Sequence, residues 1–105
     1  MVDFNDIQAL ANRIVELFHP HRIILFGSYA AGNANKDSDV DLLVVLPFEG
    51  KNFYKSLEIV NAVNPMFSTD ILARKPEDTQ WRYRNGDPLI KDAIDRGRVL
   101  YEQNY

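Results

Sequence analysis

Phe26-Gly27-Ser28-Tyr29-Ala30-Ala31-Gly32, continuing through residues 33–38 into Asp39-Val40-Asp41-Leu42-Leu43-Val44-Val45, is the stretch on which the fold of this chain turns. Arg22-Ile23-Ile24-Leu25-Phe26 is a short, β-branched apolar run ended by Gly27, the pattern of a buried strand. Val40 to Leu46 reads as a second strand. Side chains alternate along a strand, so Asp39 and Asp41 share one face, about 7 Å apart, while Val40, Leu42, Val44 and Leu46 line the other. The acidic face continues as Leu43 and Val45, which predicts a strand buried on both sides with its acids at the exposed N-terminal end. For the end of the first strand and the start of the second to build one site, the two must run antiparallel, with residues 29–38 looping between them.

Working outward, Phe4, Ile7, Leu10, Ala11, Ile14, Leu17 and Phe18 recur at helical spacing before His19-Pro20. Phe53, Leu57, Val60 and Val63 form a second helical stripe, stopped at Asn64-Pro65, and Met66 to Ala73 reads as a third strand. Pro76 with Glu77 and Asp78 predicts a helix start whose acids sit at the positive end of the dipole, with Asn85-Gly86 as the stop. Asp87 reads as an N-cap before a helix that buries Leu89, Ile90, Ala93 and Ile94 and ends at Gly97; Val99 to Tyr101 makes a last short strand. The expectation is one α/β (α+β) domain over residues 1–105, a small mixed sheet flanked by helices.

The chain has 105 residues, enough for one core. A 46% hydrophobic content excludes a disordered chain, and a net charge of −3 disfavours a phosphate backbone as the main partner. The longest aliphatic run, Leu42 to Leu46, is far short of the roughly 20 residues that cross a bilayer. The N-terminus is acidic where an export signal would be basic, so a cytoplasmic location is expected. Zero cysteines remove disulfides and thiolate chemistry.

Two carboxylates on one rigid strand end repel unless they share a proton or a cation, and an all-oxygen ligand set points to Mg²⁺. Alternatively, Asp39 is a strand-start turn residue and Asp41 a solvated neighbour. Ser28, directly after a strand, fits the N-cap of a one-turn helix stopped by Gly32, with Gly27 admitting a phosphate to the free backbone N–H groups. The run from Gly27 to Gly32 also spells G-x-x-x-x-G, but Asn33 and Ala34 stand where a P-loop needs Lys and Ser/Thr, which excludes a Walker-type NTPase. Asp70 falls inside the third apolar run, where a buried carboxylate needs a partner, a metal shared with Asp39 and Asp41; alternatively it pairs with a nearby Arg or lies at an edge position.

Gly27-Ser28, ten intervening residues and Asp39-Val40-Asp41 resemble the G-S-x10-D-x-D signature of nucleotidyltransferases of the DNA polymerase beta superfamily. More narrowly, residues 1–102 resemble a minimal nucleotidyltransferase of the MNT type. The resemblance implies that Asp39, Asp41 and Asp70 hold Mg²⁺, two ions in the general strategy, that Gly27 and Ser28 hold the phosphates of ATP, and that Asp70 activates the attacking hydroxyl. It further implies an antitoxin of a toxin-antitoxin pair that inactivates a HEPN-domain RNase toxin by AMPylation of a tyrosine, in a complex of like or unlike chains. One departure is Ala31, where many relatives carry Arg in G-S-x-A-R-G; Lys36 is a candidate substitute cation. Rival expectations are an antitoxin that acts by binding alone and a small-molecule nucleotidyltransferase, the latter disfavoured because no second domain is expected to shape a pocket.

His19 and His21 flank a helix-ending Pro without a third ligand and read as a solvated turn. Trp81, Arg82, Tyr83 and Arg84 read as half core and half solvated face, with contact to a partner or nucleotide as the alternative. Tyr29 either flanks the nucleotide or covers the end of the sheet. Lys51 and Lys55 read as a solvent face.

Overall fold

The computed structural model describes residues 1–104. Among these residues five helices and four strands follow one another: α1 (Phe4–Phe18), β1 (Arg22–Phe26), α2 (Ser28–Ala31), β2 (Val40–Val45), α3 (Asn52–Val63), β3 (Thr69–Arg74), α4 (Pro76–Arg84), α5 (Pro88–Arg96) and β4 (Arg98–Glu102). The strands form one mixed sheet in the order β3-β2-β1-β4. β1 is antiparallel to both β2 and β4, whereas β2 and β3, joined through α3, are parallel. This is the small mixed sheet flanked by helices that the sequence predicts.

The alternation of β2 divides the interior. Val40, Leu42, Val44 and Leu46 join Ile23, Leu25, Ile71 and Ala73 beneath α1 and α3, where Ile7, Leu10, Ala11, Ile14, Ile59 and Val63 complete the larger core. On the opposite face Leu43 and Val45 meet Ile24, Phe26 and the α5 residues Ile90 and Ala93. β2 is therefore buried on both sides, as its two apolar rows require.

Strand boundaries differ from expectation, by one residue at each end of β4 and at the end of β3, and by more at its start. β3 begins at Thr69 and not at Met66. Pro65 and a 94% exposed Met66 lie in the turn from α3, and Thr69 Oγ1 donates to Phe67 O at 2.9 Å, a local bond that competes with pairing. β2 ends at Val45, although Leu46 N still donates to Arg74 O at 3.1 Å. The close of α5 is held by a contact: a β-carbon at Gly97 would lie 2.6 Å from Ile24 Cγ2 and 2.8 Å from Leu25 O, so only glycine lets the chain pass against β1.

Among the described residues no helix is long and apolar enough to cross a membrane.

Candidate active site

Antiparallel pairing sets Phe26 opposite Asp41, so the chain leaving β1 at Gly27 emerges beside the first carboxylate of β2. Gly27 has φ 74° and ψ −153°, a region that essentially only glycine occupies. A β-carbon there would overlap Asp41 Oδ2 and lie 3.3 Å from its Cγ. The glycine thus has two physical grounds: a backbone conformation closed to other residues, and a carboxylate pressed against its α-carbon.

Gly27, and not Ser28, is the N-cap of α2, and no side chain caps the helix. The correction has a local cause, since Ala30 N and Ala31 N both donate to Gly27 O, at 3.1 and 3.0 Å, which starts the turn one residue earlier. Ser28 occupies the first helical position, where its N–H and that of Tyr29 lack intrahelical acceptors. Gly32 ends the turn in the left-handed region, and Asn35 to Ser38 form a tight turn in which Asn35 Oδ1 accepts from Asp37 N at 2.8 Å.

The parallel register of β2 and β3 sets Asp41 directly beside Asp70. Asp70 is exposed, because it is the second residue of an edge strand; of the readings the sequence allows, the edge position holds and the carboxylate buried mid-strand does not. Burial first, then the charges of Asp70 and Asp39, and a hydrogen bond shared with Asp70, push the Asp41 carboxyl from 3.8 up to about 6. Asp39 is tied by another contact, the Ser68 hydroxyl donating to its Oδ1. Sequence reasoning gives Ser68 no role; it stands directly before β3, and the parallel register that pairs Thr69 with Val40 brings it to Asp39.

Among the described residues no three carboxylate or imidazole groups converge into a preassembled cation cluster. Asp41 and Asp70 face each other while Asp39 is turned to Ser68. The donor chemistry nevertheless fits a hard cation: three carboxylates stand at one sheet end, the central one raised in pKa by burial and by its two neighbours, and packed against the α-carbon of Gly27.

Other candidates fall elsewhere. Tyr29 covers the sheet end, packing against the larger core with its hydroxyl accepting from Val2 N at 3.0 Å. Tyr83 packs on the smaller core and donates to Asp95 Oδ1 at 2.6 Å, Arg82 pairs with Asp78 and Asp87 at 3.1 and 3.2 Å, and Trp81 is exposed. Lys55 pairs with Glu58 at 3.2 Å, and His19 is the left-handed C-cap of α1. Ala31 and Lys36 are both exposed.

A family model described as a nucleotidyltransferase domain matches residues 7–100. No curated protein sequence matches the chain. Among solved structures, the chain resembles a protein assigned as a nucleotidyltransferase from Sulfolobus solfataricus, with a TM-score of 0.66 and 16% identity over 94% of this chain and 79% of that one. It also resembles a toxin-antitoxin structure with AMP-PNP (TM-score 0.57, 16% identity, 92% and 74% covered). A third is the tri-AMPylated HEPN toxin of Shewanella oneidensis in complex with MNT antitoxin (TM-score 0.51, 18% identity, 91% and 72% covered). At these identities the likeness is one of fold.

Proposed function

The chain belongs to the nucleotidyltransferase domain family, and from that premise we propose that it transfers AMP from ATP to a hydroxyl of a partner protein, a HEPN-domain toxin, as the antitoxin of the pair. The observation that carries the reading is the meeting of Gly27, Asp41 and Asp70 at one end of the sheet. The toxin-antitoxin structures of similar fold, one with AMP-PNP and one with an AMPylated toxin, support the choice of nucleotide and partner.

Gly27 sets the α2 turn beside Asp41, and the free N–H groups of that turn, with the Ser28 hydroxyl, hold the oxygens of the triphosphate. Asp39, Asp41 and Asp70 would hold Mg²⁺, which when bound supplies neutralisation of the triphosphate charge. Ser68 keeps Asp39 oriented. Asp70, exposed at the strand end, accepts the proton of the attacking hydroxyl. The hydroxyl oxygen forms a bond to the α-phosphorus as the α–β anhydride bond breaks, and pyrophosphate leaves with the electron pair.

A second reading, neutralisation by binding alone, is favoured by the exposed Ala31, which leaves α2 without a cation. One experiment separates them. The protein and its co-purifying partner are incubated with Mg²⁺ and α-labelled ATP, and the intact mass of both chains is measured. AMP on the partner, lost in Asp39→Ala/Asp41→Ala, is the expected result; transfer that persists in the double variant overturns the assignment, and a stable unlabelled complex favours binding alone.

A further inference from the structure

β3 is an edge strand, and its two ends are treated differently. Ser68 O and Arg74 O accept from β2, so the even-numbered residues of β3 face β2 and the main-chain groups of Thr69, Ile71 and Ala73 point outward. At Ala73 the edge is closed, its N–H donating to Ser56 Oγ at 2.9 Å and its carbonyl accepting from Arg74 Nη1 at 2.8 Å. At Thr69 and Ile71, next to the carboxylates, no main-chain partner among the described residues closes the edge. Beside it runs a groove of about 390 Å³ between α3 and β3, lined by Phe53, Leu57 and Val60, with Asp70 and Arg74 also on its wall. Phe53 is 69% and Leu57 45% exposed, which is unusual for the inner neighbours of a strand.

Resting on the transferase reading, we infer that this open edge binds the acceptor as an extended segment added to the sheet beside β3. Residues opposite one another on paired strands share a face. A residue paired with Asp70 therefore presents its hydroxyl on the face of that carboxylate, and its sequence neighbours point toward Phe53, Leu57 and Val60. Arg74 lies on the same face as Asp70, four positions along, and pairs with no carboxylate among the described residues. The fitting occupant is a protein segment with a hydroxyl residue and apolar residues on either side of it, which pairs as far as Ile71 and leaves the edge at the closed end, where an acid four positions from the hydroxyl residue reaches the Arg74 guanidinium through its side chain. The groove shares Asp70 with the candidate active site, so the segment that fills it delivers its hydroxyl to the reacting end of the sheet.

The test uses two probe peptides, acetyl-Glu-Val-Thr-Val-Tyr-Val-amide and its reverse, acetyl-Val-Tyr-Val-Thr-Val-Glu-amide, which set the acid on either side of the tyrosine. Each is titrated without nucleotide into the isotope-labelled protein to about 1 mM. One of them should shift the amide resonances of Thr69 and Ile71 and slow their exchange with solvent. Leu57→Arg, and separately Phe53→Ala, should weaken binding by about tenfold or more, both being exposed positions outside the catalytic machinery. Absence of shifts on β3 with either peptide, or unchanged binding in both variants, overturns the inference. With ATP and Mg²⁺ added, binding without AMP on the tyrosine leaves the groove standing and fails the transferase reading, whereas AMP transfer without shifts on β3 does the reverse.

Discussion

Asp41 pits function against stability within one side chain. Its pKa of about 6 in the folded protein lies above the 3.8 of an unfolded carboxyl, so between these values the folded state binds the extra proton. The stability this contributes is complete below about 3.8 and is lost as the pH rises through about 6. Asp41→Asn removes the dependence. In EDTA, the variant should therefore gain on the wild type as the pH is raised from 4.5 to 7.5, ending ahead by about 1 kcal/mol once screening at a part-exposed site is allowed for. Thermal unfolding at each pH checks it; a difference that does not grow with pH contradicts the assignment. The motif residues Gly27, Ser28, Asp39 and Asp41 were legible because their spacing along two strands is itself a geometric statement. Ser68 was not, since a hydroxyl two residues before an acid carries no signal until the parallel register of β3 sets it beside Asp39.

Among the elements, α5 and β4 depend on a contact between backbones. Pro88 opens α5, and the Asp87 side chain caps it by accepting from Ile90 N at 3.1 Å; that bond is the main reason its carboxyl is held below the ordinary value. Gly97 closes the helix against Ile24 and Leu25. Gly97→Ala should cost roughly 1 to 3 kcal/mol, the range of an overpacked core site, and show it as a lower urea midpoint with an unchanged slope. A loss under about 0.5 kcal/mol, the level of an ordinary surface change, would mean that the turn yields. Helical spacing, caps and proline stops placed α1, α3, α4 and α5 along the chain because those signals are local, but not every buried face: Leu89, expected inside, is exposed on α5. The start of β3 was misplaced because Met66 and Phe67 are apolar in sequence, yet lie in a turn for want of a strand to pair with.

At the level of the whole molecule, β2 joins two cores of unequal size, and α3 seals the larger one while carrying the chain across to β3. Ile59, fully buried at the centre of α3, should cost about 2 to 5 kcal/mol on truncation to Ala. Its loss should lower the melting temperature cooperatively across the chain, as followed by both far-ultraviolet circular dichroism and Trp81 fluorescence; separate transitions for the two probes would mean that the two faces fold independently. The amino-acid sequence by itself determined which segments become helices and strands, that β2 is buried on both faces, and which residues could carry phosphate and cation chemistry, because periodicity and motif spacing are properties of the chain alone. Only the tertiary structure decided that Asp70 stands exposed beside Asp41, that Ser68 reaches Asp39, and that one end of the β3 edge lies open. Each of these depends on strand order and register, which arise from packing between segments far apart in sequence, and no local pattern encodes them.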